Sequence, residues 1–117
     1  MEFNKIYNED CITYMKQTVD NSFDLTLTDI PYGEVNRENN GLRTLSKEQA
    51  DVMTFDIQEF LNEVYRVTKG TLIIFCGKEQ LSEIHKFFSE KQKKNQGTVR
   101  QLIWEKTNPS PMNGQYV

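Results

Sequence analysis

The chain has 117 residues, 14 Lys+Arg against 17 Asp+Glu, a formal net charge of −3, and 37% hydrophobic residues. That is enough for one modest core and one domain, and it excludes a disordered chain and a strongly basic nucleic-acid-binding domain. The longest apolar run, Leu72 to Cys76, is too short for a membrane span, and Cys11 and Cys76 form neither a disulfide framework nor a metal-ligand set. A reducing, cytoplasmic setting is the natural expectation.

The first segment with strand character is weak and covers Asn4 to Asn8, with Ile6 and Tyr7 at its centre. A short helix is expected over Cys11 to Gln17, with Ile12 and Met15 three apart. Phe23-Asp24-Leu25-Thr26-Leu27-Thr28 reads as a buried strand that runs into Asp29-Ile30-Pro31-Tyr32-Gly33, where proline stops the ladder. The polar stretch that follows, about residues 34–50, lacks periodicity and reads as a long loop of the functional or mobile kind.

Phe55 to Thr68 places Phe60, Leu61, Val64, Tyr65 and Val67 on one broad helical face. Asp56 is the expected N-cap, with Glu59 in the capping-box position, and Gly70 the expected left-handed C-cap. Thr71 to Cys76 is a continuous apolar run of the type found in strands covered on both faces. Lys78 to Lys91 carries Leu81, Ile84, His85, Phe87 and Phe88 at near-helical spacing, and Thr98 to Lys106 reads as a further strand. The two cysteines are expected as small buried hydrophobes, and His85 as a packing or surface residue. Strand and helix alternate, so the expected fold is α/β, a Rossmann-like, mostly parallel sheet of about four strands with three flanking helices.

Ligands of open parallel sheets sit at the carboxyl ends of strands, and the most unusual residues of this chain fall at such an end. Asp29 offers a carboxylate that accepts hydrogen bonds from an amino group. Ile30 is held extended by the proline that follows it, which leaves the Ile30 and Pro31 carbonyls as further acceptors. Tyr32 offers a flat face for stacking. Together these suit a planar ring carrying an exocyclic –NH2, whose delocalised lone pair is freed when acceptors engage its hydrogens.

Asn8-Glu9-Asp10-Cys11, the strand Phe23 to Thr28 and Asp29-Ile30-Pro31-Tyr32 together resemble the opening of the amino DNA methyltransferases. The usual motif of that family is Asp-Pro-Pro-Tyr, and its first proline is here Ile30. Leu102-Ile103-Trp104-Glu105-Lys106-Thr107-Asn108-Pro109 resembles the family's later Trp-x-Lys-x-x-Pro strand. The resemblance implies transfer of a methyl group from S-adenosylmethionine to adenine N6, the preferred target, or to cytosine N4 in DNA. It implies Asp29, Ile30, Pro31 and Tyr32 as the catalytic loop, with Asp10, Cys11 and Asp29 beside the cofactor. Arg37, Arg43 and Lys47 are possible DNA phosphate contacts, although solvated loop charge is the default for such residues.

Catalytic motif first is the permuted, beta-type order of the family. In that order a target-recognition region follows, and then a Phe-x-Gly-x-Gly cofactor motif, and neither is present here. The expectation is therefore a partial catalytic domain over residues 1–117, an incomplete methyltransferase fold with an exposed sheet edge open to self-association. The alternative is a catalytically inactive remnant that serves as a DNA- or protein-interaction domain.

Overall fold

The computed structural model describes residues 2–32 and 56–107. Its elements, in chain order, are α1 (Cys11–Lys16), β1 (Phe23–Asp29), α2 (Ile57–Val67), β2 (Thr68–Phe75) and α3 (Lys78–Lys93). β1 and β2 pair in parallel, so the architecture is α/β. The chain divides into two compact units. The first holds 1–30 and 54–76, hence α1, β1, α2 and β2, and the second holds 31–53 and 77–117, hence α3.

In the first unit the core is built on α2. Its Phe60, Leu61, Val64 and Val67 are buried, as the helical spacing predicts, and α2 packs on both α1 and β2. Ile12 and Met15 of α1 complete the cluster. Each such side chain contributes roughly 1.5–3 kcal/mol on removal from water. Asp56 caps α2 as expected, its Oδ1 accepting from the Gln58 and Glu59 backbone N–H groups at 2.8 and 3.2 Å. Glu59 pairs with Lys16 of α1.

Gly70 does not end that helix. α2 stops at Val67, Thr68 takes extended geometry as its C-cap, and β2 begins at once. The register explains why glycine stands where it does. Phe23 pairs with Thr68 but Leu25 pairs with Thr71, so β2 carries one extra residue opposite Asp24. At this bulge a Cβ on Gly70 would lie 2.0 Å from the Asp24 carbonyl oxygen.

Beyond the bulge the pairing is regular to Asp29–Phe75. One face of the pair, with Thr26, Thr28, Leu72 and Ile74, is half-buried, and Thr26 Oγ1 lies 2.6 Å from Thr68 Oγ1. The other face exposes Leu25 and Leu27, 56% and 63%, along with Ile73. The apolar run predicted cover on both faces, and the described residues cover one.

Two expected strands are not formed. Residues 4–8 are irregular and exposed, Ile6 being 95% exposed, and 98–106 is likewise irregular, with Leu102, Ile103 and Trp104 exposed. Their composition favours strands, but a strand needs a neighbouring edge, and among the described residues only β1 and β2 form a ladder. Among the described residues the sheet thus has two strands, where about four were expected. The loop expected over about 34–50 lies outside the described residues.

Arg66, in the last turn of α2, ties that helix to the connection between α1 and β1. Nη1 donates to the Thr18 carbonyl at 2.8 Å and to Asp20 Oδ1 at 2.6 Å. Nη2 donates to the Met15 carbonyl at 2.6 Å and to Glu63 Oε2 at 2.6 Å. Glu63 and then Asp20 hold the guanidinium well above its ordinary pKa, so it stays charged at any working pH. Arg66→Lys is expected to lower the thermal midpoint almost as much as Arg66→Met. An ammonium cannot span two carboxylates and two carbonyls in one plane. Differential scanning calorimetry of the two variants checks this.

Candidate active site

β1 delivers Asp29 as its last residue, exposed and opposite Phe75 at the carboxyl end of the parallel pair. Ile30 is buried, 4% exposed, and its N–H donates to the Phe75 carbonyl at 3.3 Å, which carries the ladder one residue past the strand. Pro31 has no N–H to continue it. The four residues of the motif are therefore divided. Asp29 and Ile30 belong to the first unit, and Pro31 and Tyr32 to the second.

In the second unit the Pro31 carbonyl accepts a hydrogen bond from Gln80 Nε2 at 2.7 Å. Gln80 is buried, 6% exposed, at the third position of α3. Its Oε1 accepts from the Gly77 N–H at 2.9 Å, half of a capping box that Gly77, having no side chain, cannot return. One side-chain amide thus holds the start of α3 and Pro31 together. Tyr32 is half-buried. Residue order alone did not reveal Gln80. The only local signal is a glutamine three residues after a helix-starting glycine, and its reach to Pro31 needs the fold.

Asp10 caps α1, its Oδ1 accepting from the Thr13 N–H at 2.8 Å and from Thr13 Oγ1 at 3.0 Å. These bonds lower its carboxyl below the ordinary value of 3.8, the Thr13 backbone N–H first and its hydroxyl second. A depressed folded-state value means that the cap is fully present above 3.8 and is lost as pH falls through that lowered value. Protection of the Thr13 amide, relative to its intrinsic exchange rate at each pH, is expected to fall in that acid window, and Asp10→Asn to abolish the pH step. NMR-detected exchange against pH measures both.

Cys11, beside Asp10, is exposed and Cys76 half-buried, so neither is the buried hydrophobe expected of it. Cys11 begins a short helix whose inward positions belong to Ile12 and Met15. Desolvation first and the Asp10 charge second push its thiol up, away from thiolate chemistry. His85 is at the surface, its Nδ1 lying 3.2 Å from Ser89 Oγ. Arg37, Arg43 and Lys47 lie outside the described residues.

Among the described residues no group of His, Cys, Asp and Glu is placed to hold a metal ion, and no helix is long and apolar enough to cross a membrane. Comparison with models of protein families, with curated proteins and with solved structures returns no match to this chain.

Proposed function

We propose that the chain carries the catalytic loop of an S-adenosylmethionine-dependent amino methyltransferase acting on DNA, adenine N6 before cytosine N4. What carries the reading is Asp29 at the carboxyl end of two parallel strands, followed without a break by Ile30, Pro31 and Tyr32. A carboxylate there accepts from an exocyclic amino group, and the tyrosine ring stacks on the base. Because the Pro31 carbonyl already accepts from Gln80, the Ile30 carbonyl is favoured as the second acceptor.

The cofactor would supply an electrophilic sulfonium methyl group. On this reading Asp10 lies beside its adenosine, and the cap it forms fits that role, since Thr13 engages only one of its carboxylate oxygens. The Rossmann-like sheet is proposed in the same sense, β1 and β2 being its catalytic pair. Incubation with DNA and labelled S-adenosylmethionine tests the reading. Label at adenine N6 is expected, and a chain that neither binds the donor nor transfers label refutes it.

A second reading is favoured by a different observation, the exposed apolar face of Leu25, Leu27 and Ile73 on a two-stranded sheet. It makes the chain a non-catalytic interaction domain that associates with a copy of itself or with a partner through that sheet. Sedimentation showing a concentration-dependent dimer, without methyl transfer, supports it. A monomer that transfers label excludes it.

A further inference from the structure

We propose that Gln80 is a positioning residue for the target base, fixing the direction in which Tyr32 leaves the strand-end loop by holding the Pro31 carbonyl. The inference rests on the methyltransferase reading and adds to it a residue on α3, outside the motif. Its first support is burial. Gln80 is 6% exposed in a helix whose neighbouring positions Lys78 and Glu79 are at the surface. A buried amide is retained where both of its ends are satisfied, and here Oε1 takes the Gly77 N–H and Nε2 reaches the Pro31 carbonyl.

The second support is that capping alone does not require glutamine. Glutamate in this position would accept equally well from the Gly77 N–H, and its charge would suit a helix N-terminus better. What glutamate lacks is a donor, and the donor is the atom spent on Pro31. The third support is the backbone of proline itself. Its ring fixes φ and it has no N–H, so its carbonyl is the residue's own hydrogen-bonding handle, through which the fold can bias ψ. With φ set by the ring and ψ biased by Gln80, the backbone from which Tyr32 starts is constrained.

The test uses Gln80→Glu and Gln80→Ala in the full chain, with Tyr32→Ala as a control. Two readouts are taken. One is the carbonyl 13C shift of Pro31. The other is the affinity for a short single-stranded DNA bearing 2-aminopurine, read by quenching as the base stacks. Gln80→Glu keeps the Gly77 cap but sets a carboxylate oxygen against the Pro31 carbonyl; it is expected to lower the thermal midpoint, to move the Pro31 carbonyl shift and to weaken binding about tenfold in samples that remain folded, as expected for one lost hydrogen bond of orientation. Gln80→Ala removes the Gly77 bond as well and is expected to lose the same affinity and to lower the midpoint too. A Pro31 shift unmoved by Gln80→Glu overturns the inference, and so does a moved shift with unchanged affinity. If the unsubstituted chain gives no quenching, the methyltransferase reading fails and the positioning role falls with it. The Pro31 shift then still reports whether Gln80 holds the carbonyl.

Discussion

Asp29→Ala is expected to lower methyl transfer by about 10²–10³-fold, the usual loss when one preorganised hydrogen-bonding group is removed from a reacting centre. The amino group of adenine is a poor nucleophile because its lone pair belongs to the ring. Anything that draws on its N–H bonds returns electron density to nitrogen. On the proposed reading Asp29 would do this as a carboxylate, so its removal is expected to cost more than that of a neutral acceptor. Asp29→Asn keeps one carbonyl oxygen where the carboxylate was and is expected to retain more activity than alanine, at about a tenth of the original rate or below. Neither change should unfold the chain. Asp29 is exposed at the end of β1, and its backbone pairing opposite Phe75 does not depend on its side chain. Transfer rate and thermal midpoint measured on the same samples separate the two effects. Full transfer by Asp29→Ala would remove Asp29 from the chemistry. Equal losses of rate and midpoint would make it a structural residue.

The elements that follow from local pattern were legible in the sequence. α2 is read from the spacing of Phe60, Leu61, Val64 and Val67, and its start from Asp56, because periodicity and capping are set by neighbours within one or two turns. β1 and β2 follow from β-branched and apolar runs, and the end of β1 from the proline. What was not legible depends on partners distant in the chain. Arg66 and Gln80 donate to carbonyls 48 and 49 positions away, and nothing near either residue announces that. Residues 98–106 have strand-like composition, yet composition supplies only one side of a ladder. The strand end at Asp29, stopped by Pro31, was legible in the residue order. The holding of its Pro31 carbonyl by a helix residue was not. Gly70 shows the same division in one residue. A glycine shortly after a helical pattern ordinarily reads as a cap, and only the register of β1 against β2 shows it at a bulge.

Gly70→Ala is therefore expected to destabilise the first unit by about 3 kcal/mol, the upper range for an added group with no room to enter. The obstacle is backbone. The added Cβ would sit 2.0 Å from the Asp24 carbonyl oxygen and 3.0 Å from its carbonyl carbon, and no rotamer change moves either atom. The substitution is accommodated only if β1 and β2 separate where the register shifts, at the end of the pair that Phe23 and Thr68 close. Removing the nearby Lys69–Asp24 ion pair, 3.0 Å long and largely exposed, is expected to do little by comparison. Gly97→Ala supplies the matched control. Gly97 has φ +147°, where an alanine is strained, but nothing lies within 4 Å of its added Cβ. Its cost is expected at about 1 kcal/mol. Urea unfolding gives the two free energies, and hydrogen exchange locates them. In Gly70→Ala the amides of Leu72 to Ile74 should lose protection, whereas in Gly97→Ala they should keep it. A Gly70→Ala midpoint within error of the parent would mean that the strands do not approach this closely in solution. The bulge would then not be the reason for glycine at this position.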